Sequence, residues 1–366
     1  MTSLARRAFL RHAGLGAGWL ALGASGLAVA AAPTDRRLVV VVLRGALDGL
    51  AAVPALGDPD YRRLRGPLAL AMPGDDDGAL ALDGFFGLHP ALQPIAPLYA
   101  AGELLVVHAA ATPYRERSHF DAQDLLENGT ARPRGAADGW LNRAIAALNP
   151  GRPRLGLAVG QAVPLILRGA VPVASWQPED QPPPAPDLLA VLERLYARDP
   201  LFARALSEGL DAHRMSAAAL GGGQAGIGPP AAGRAATWFP LVAAAAGKLL
   251  AAADGPRIAV LELGGWDTHA GQGAARGRLA AQLRVLADGL DALRVAAGPA
   301  WRQTVVVAAT EFGRTAAVNG TGGTDHGTAA AVLLLGGAVA GGRVAGTWPG
   351  LAADRLHDGR DLAPTT

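Results

Sequence analysis

Arg36–Leu43 reads RRLVVVVL, and from Leu38 to Leu43 it holds no polar residue. A strand that faces water on one side alternates polar and apolar positions. A β-branched run without alternation is apolar on both faces, as in a parallel sheet with helices on either side. Leu104–Ala109 (LLVVHA), Ile258–Leu263 (IAVLEL), Thr304–Ala309 (TVVVAA) and Ala331–Leu335 (AVLLL) have the same character. Between these runs, Pro90–Ala100, His119–Glu127, Gly139–Leu148 and Gly273–Ala297 carry apolar residues at helical spacing. Strands alternating with helices predict an α/β fold with three layers, a mostly parallel central sheet covered on both faces.

The middle of the chain breaks this rhythm. Gln177–Asp187 (QPEDQPPPAPD) is rich in proline and Leu220–Pro230 (LGGGQAGIGPP) in glycine, which makes both of them linkers. Asp187–Met215 and Ala231–Ala253 have helical spacing. The expectation is one domain over residues 31–366, interrupted at about 177–230 by a helical insertion.

Half of the 366 residues are hydrophobic and 17% are charged, a composition that can fill a core rather than stay disordered. There is no cysteine, which excludes a disulfide framework, a thiolate metal site, an iron–sulfur cluster and a cysteine nucleophile. The formal charge is +2, but residues 1–30 hold Arg6, Arg7 and Arg11 and no acid, so the remainder carries −1. A nucleic-acid partner is therefore not expected. Arg6-Arg7 precedes an uncharged tract, Ala13–Ala32, that contains Ala28-Val29-Ala30, a small-residue cleavage pattern. This resembles a twin-arginine export signal over residues 1–30. The expected partner is the twin-arginine translocase and the destination the periplasm or the exterior. Five glycines make the tract a poor bilayer span, so no stable membrane span is expected after cleavage.

Three segments that adjoin expected strands gather hard ligands. They are Gly264-Gly265-Trp266-Asp267-Thr268-His269, Glu311-Phe312-Gly313-Arg314-Thr315 and Gly322-Gly323-Thr324-Asp325-His326-Gly327. Loops outside the carboxyl ends of strands are where open α/β sheets build sites, and carboxylate with imidazole suits Zn, Mn, Mg or Ca. Each segment also has a plainer role open to it. Asp267 can cap a helix, Glu311 can pair with Arg314, and His269 can sit on the surface. Asp325-His326 between glycines is harder to explain as a simple turn. Asp48, just after the first strand, is either a cap or a ligand. Ser118 and Asp121 in RSHFD fit a capping box, yet a hydroxyl at a helix N-terminus also suits a nucleophile. No G-x-S-x-G elbow and no phosphate-binding P-loop is present. His89 is expected to cap the following helix, and His108 is either buried or site-facing.

Together FFGLHPAL (85–92), ATPYRERSHFDAQD (111–124), LGGWDTH (263–269), EFGRT (311–315), GGTDHG (322–327) and GGRVAGTWPGL (341–351) resemble one twin-arginine-exported family, domain of unknown function 1501. The likeness runs over residues 36–366. That family in turn resembles the alkaline phosphatase/sulfatase superfamily, which implies an alkaline-phosphatase-like sheet with one or two divalent metals at its carboxyl edge. It also implies hydrolysis of a phosphate or sulfate ester through a hydroxyl nucleophile. Carried over residue by residue, the resemblance implies Asp48, Asp267, His269, Glu311, Asp325 and His326 as metal ligands. It implies Ser118 as nucleophile and Arg115 or Arg117 as the anion contact. The ligand spacing departs from the superfamily, since Asp267-Thr268-His269 is tighter than usual and Glu311-Phe312 stands where an Asp-His pair is expected. Relatives continue past the end of this chain, which the resemblance implies is a truncation. A second reading therefore stands beside the hydrolase: a non-catalytic exported binding or assembly protein that keeps the fold and a structural metal.

Overall fold

The structure is a computed structural model that describes residues 35–148, 155–160, 162–178, 186–200, 202, 203, 206, 207, 210 and 235–365. The expected leader, the proline-rich stretch around 179–185 and the glycine-rich linker at 220–230 lie outside these residues. Among the described residues no helix is long and apolar enough to cross a membrane.

Among the described residues the strands are β1 (Arg37–Arg44), β2 (Leu80–Ala81), β3 (Gly87–Leu88), β4 (Leu104–Ala110), β5 (Gly156–Val159), β6 (Ala174–Trp176), β7 (Ile258–Gly264), β8 (Thr304–Thr310), β9 (Ala330–Leu335) and β10 (Arg343–Ala345). Eight form one sheet in the order β10-β4-β9-β8-β1-β7-β5-β6. β9 runs antiparallel to both of its neighbours, and the other pairings are parallel. The α/β reading with a mostly parallel sheet therefore holds, and RRLVVVVL supplies its central strand. The structure adds β5 and β6. Their few residues, GLAV and ASW, are too short for periodicity to reveal.

The helices are α1 (Gly49–Ala52), α2 (Tyr61–Arg65), α3 (Ala96–Ala100), α4 (His119–Asn128), α5 (Trp140–Leu148), α6 (Pro186–Tyr196), α7 (Ala235–Ala251) and α8 (Arg278–Ala297). Two expected helices are shorter than their spacing suggests. Pro90–Ile95 is a 3-10 turn before α3, and α8 begins only at Arg278 because Gly277, at φ 121°, stands before it. Successive side chains of a strand point to opposite faces, and both faces are covered. Val39, Val41 and Leu43 pack in one cluster with Leu283, Leu286 and Leu290 of α8 and Val242 and Leu249 of α7. Val40 and Val42 pack in another with Leu141 and Ile145 of α5. Each fully buried aliphatic side chain contributes roughly 1.5–3 kcal/mol, so β1 anchors both layers.

The topology also sets where a site can form. β1, β4, β7 and β8 all end at one edge of the sheet. β9, running the other way, begins there. The segments after β1, β4, β7 and β8 and the segment before β9 thus meet at a single edge.

His108, near the end of β4, is buried and belongs to the core. Its Nε2–H donates to the Val53 carbonyl (2.8 Å) and its Nδ1 accepts from the Ala109 N–H (2.8 Å). Burial lowers its pKa to about 4, against smaller opposing effects of the Val53 carbonyl and Asp48. Between that value and the ordinary value near 6.5 the unfolded chain binds a proton that the folded chain refuses. Stability is then complete above about pH 6.5 and falls as pH drops toward 4. Urea unfolding at pH 7 and pH 4.5 should show wild type losing about 2–3 kcal/mol through this residue. His108→Gln, which keeps a donor and an acceptor, should lose correspondingly less; equal losses would contradict this role.

Candidate metal centre

At the shared sheet edge, His119, Asp267 and His326 each present one donor atom, and the three atoms lie within 4.8 Å of one another. His119 Nε2 is 2.9 Å from His326 Nε2. Asp267 Oδ1 is 3.5 Å from His326 Nε2, and Asp267 Oδ2 is 3.7 Å from His119 Nε2. A cation bonded at ~2.0–2.1 Å to tetrahedral N and O ligands holds them ~3.3 Å apart, so these spacings suit one ion. His269 stands beside the trio, with Nε2 3.0 Å from both His326 Nε2 and Asp267 Oδ1.

The three elements that carry the trio reach this edge for separate reasons. α4 starts at His119 because Ser118 caps it, its Oγ accepting from the Asp121 N–H (3.5 Å). Asp267 follows β7 on a loop pinned by the fully buried Trp266, whose Nε1–H donates to the Leu263 carbonyl (2.8 Å). The loop after β1 comes so close that a Cβ at Gly45 would lie 2.9 Å from the Asp267 nitrogen; with φ at 119° only glycine is at ease there. His326 precedes β9.

Hydrogen bonding decides which ring nitrogens carry protons. His119 Nδ1 faces Glu311 Oε1 at 2.7 Å, His269 Nδ1 faces Asp325 Oδ1 at 3.1 Å, and His326 Nδ1 faces the Arg117 carbonyl at 3.0 Å. A carbonyl or an ionised carboxylate only accepts, and both carboxylates are held in the ionised form. Burial pushes Glu311 upward, but its bonds from His119, Gln123 and Thr310 outweigh this and leave its pKa low. Bonds from Asn319 and His269 lower Asp325. Each imidazole therefore places a proton on Nδ1 and turns Nε2 inward, toward the other rings and Asp267.

Asp267 meets them as an anion. Burial raises its pKa, and the Arg314 guanidinium, 2.8 Å from Oδ1, with the nearby imidazoles more than reverses that. Burial lowers the pKa of His326 against the opposing bond to the Arg117 carbonyl, with the charges of His119 and Arg314 adding to the lowering. The partners behind the rings are those that orient metal-binding histidines and raise their basicity. Phe312 stacks on His119 with ring centroids 4.9 Å apart.

Of the residues the resemblance implied, Asp267 and His326 belong to the trio and His269 adjoins it. Glu311 and Asp325 stand one layer out, as partners of histidines. Asp48 is not brought to the trio. It is buried at the N-cap of α1, with Oδ1 accepting from the Ala51 N–H (3.1 Å) and Oδ2 accepting from Arg65 (2.5 Å) and Gln272 (2.7 Å). Of the plainer roles, the cap applies to Asp48 and not to Asp267, after which no helix begins. Glu311 does not pair with Arg314, because Arg314 reaches Asp267 instead. His89 caps as expected, its Nδ1 accepting from the Ala91 N–H (3.0 Å).

Arg117 donates to Asp361 (2.7 Å) and Asp358 (3.1 Å), while Arg115 is exposed and donates to the carbonyls of Thr112 and Tyr114. Arg117 also has φ at 60°, a left-handed conformation that costs roughly 1–2 kcal/mol outside glycine; its carbonyl is the one that fixes His326. His119 escaped the sequence reading. The available signal was a histidine directly after a capping serine at the start of a helix that follows a strand-end loop.

Arg65 and Asp48 are both nearly free of solvent contact. Removing the guanidinium in Arg65→Met strands a buried carboxylate and should cost about 3–5 kcal/mol in urea unfolding. A loss below 1 kcal/mol would contradict the assignment of Asp48 to this pair.

No curated protein and no solved structure matches the chain. The family model described as protein of unknown function (DUF1501) matches residues 104–365. That span carries His119, Asp267 and His326 and covers well over half of the sequence, so the chain belongs to the DUF1501 family.

Proposed function

We propose that this protein is an exported, metal-dependent hydrolase of phosphate or sulfate esters, with an alkaline-phosphatase-like arrangement of sheet and site. The observation that carries the reading is the meeting of inward-turned imidazole Nε2 atoms with the Asp267 carboxylate at a carboxyl sheet edge. A cluster of this kind can hold a cation, and its nitrogen and oxygen ligands suit Zn or Mn and tolerate Mg or Ca less well.

A bound divalent ion would act as a Lewis acid on an ester oxygen and lower the pKa of an adjacent hydroxyl. The remaining roles fall to side chains of this chain. His119, His326 and Asp267 hold the ion, and the outer partners Glu311, Arg117 and Arg314 orient them. Asp267 keeps 44% of its side chain exposed, so the centre is open to a substrate. Ser118 adjoins His119 at the positive end of α4, where an alkoxide is stabilised. Its Oγ would form a bond to phosphorus or sulfur as the ester oxygen leaves with a proton. Water then cleaves the Ser118 ester and restores the hydroxyl. Arg115 is the arginine left accessible for an anionic group, since Arg117 is committed to two carboxylates. Delivery by the twin-arginine translocase to the periplasm or beyond belongs to the same reading, because that route carries folded, metal-loaded proteins.

One observation favours the second reading, a non-catalytic exported protein with a structural metal. Ser118 Oγ is engaged as a helix cap and Arg117 as an ion-pair partner, so both have structural duties. The test is turnover of aryl phosphates and aryl sulfates by mature protein loaded with Zn, Mn, Mg or Ca. The hydrolase reading expects turnover that falls at least 100-fold in both Ser118→Ala and His326→Ala, with metal lost only in the latter. Retained metal with no turnover in any combination would overturn it in favour of the structural role.

A further inference from the structure

Gln272 lies in the loop between β7 and α8 and has no solvent exposure, and its side chain joins two distant parts of the site. A fully buried amide must satisfy both of its ends. Asp48 Oδ2 is an acceptor, so the Gln272 amide turns Nε2 toward it, at 2.7 Å. Oε1 is then left to accept from the hydroxyls of Thr268 (2.8 Å) and Thr324 (2.8 Å). Having donated its only proton, Thr324 Oγ1 offers a lone pair to Arg314 Nε–H at 3.3 Å. The same guanidinium donates to the Thr324 carbonyl at 2.5 Å and to Asp267 Oδ1 at 2.8 Å. Every donor and acceptor in this chain has its direction set by the one before it, from Arg65 and Asp48 through to Asp267.

The backbone repeats the connection. Gln272 N–H donates to the Gly322 carbonyl (2.9 Å), and Thr324 N–H donates to the Thr268 carbonyl (3.2 Å). The two loops lie so close that a Cβ at Gly323 would come within 2.4 Å of the Thr268 and His269 carbonyls. These are the loops that carry Asp267 and His326.

We propose that Gln272 is a positioning residue for the metal centre, holding Arg314 and through it Asp267 in register by way of Thr324, with the buried Asp48–Arg65 pair as its anchor. The proposal rests on the reading of the trio as a metal site. It gives Asp48 a place in the centre that is not ligation, three hydrogen bonds away, through one amide and one hydroxyl, from the guanidinium that grips Asp267. Partners behind the ligands typically control metal affinity by 10–100-fold.

The test is Zn2+ affinity by competition with a chromophoric chelator, and the visible spectrum of the Co2+ form, on full-length mature protein well below its melting temperature. Gln272→Met keeps the approximate volume but breaks the chain at both ends, and should weaken Zn2+ by 10–100-fold and shift the Co2+ bands. Thr324→Val should do the same, and Thr324→Ser, which keeps the hydroxyl, should bind as wild type does. That rescue separates positioning from packing, since serine removes a methyl group and valine does not. Wild-type affinity and an unchanged Co2+ spectrum in Thr324→Val would overturn the proposal even if its melting temperature falls, and this pair decides the matter if Gln272→Met does not fold. Wild-type protein that binds neither Zn2+ nor Co2+ would overturn both this proposal and the metal reading, whereas binding shared equally by all variants would overturn this proposal alone.

Discussion

Three imidazoles that each direct an Nδ1–H to an oxygen acceptor keep only Nε2 for any other ligand. His119, His269 and His326 are in that position, committed to Glu311, Asp325 and the Arg117 carbonyl. His326 Nε2 lies 2.9 Å from His119 Nε2 and 3.0 Å from His269 Nε2, beside Asp267. A cation among these donors would be held by all of them at once, because each outer acceptor would strengthen the ring it touches. The remainder of the edge is organised around that constraint. Arg117 adopts a left-handed backbone to aim its carbonyl, and Phe312 stacks on His119. Glu311 gathers the Gly45 N–H, the Thr310 hydroxyl and Gln123 around one buried carboxylate.

The sheet explains how residues from 119 to 326 come together. β1 is central, and its register sets Leu43 level with Thr310 and Arg44 level with Gly264. The chain therefore leaves β1, β7 and β8 at nearly one height. β9 enters the sheet reversed between β8 and β4, which brings the Asp325-His326 turn to the same edge from the opposite direction. Placement of the site thus depends on one antiparallel strand within a mostly parallel sheet.

Much of this was legible in the sequence. Apolar β-branched runs announced β1, β4, β7, β8 and β9, because burial on both faces leaves no place for polar residues. β5 and β6 were not, being three or four residues long with no period to read. At the site, Asp267, His269 and His326 could be found because a ligand-rich, glycine-flanked loop at a strand end is unusual. His119 was hidden by Ser118 and Asp121, whose capping pattern already accounts for the segment. Asp48 went the other way. A carboxylate at a strand end looks the same whether it meets a metal or an arginine, and Arg65, 17 residues further on, becomes its partner only in three dimensions. Glu311 and Asp325 face the Nδ1 atoms of His119 and His269, a placement that spacing alone does not give, since it does not say which neighbour a carboxylate meets.

The central claim is that imidazole nitrogens and a carboxylate of this chain hold a divalent ion. X-ray absorption at the metal edge of Zn- or Mn-loaded mature protein, after desalting, addresses it most directly. Nitrogen or oxygen neighbours at ~2.0–2.1 Å are expected, with the outer-shell scattering of at least two imidazoles, and with loss of that scattering in His119→Ala with His326→Ala. A shell of oxygens without imidazole scattering, or no metal retained by folded protein, would contradict it.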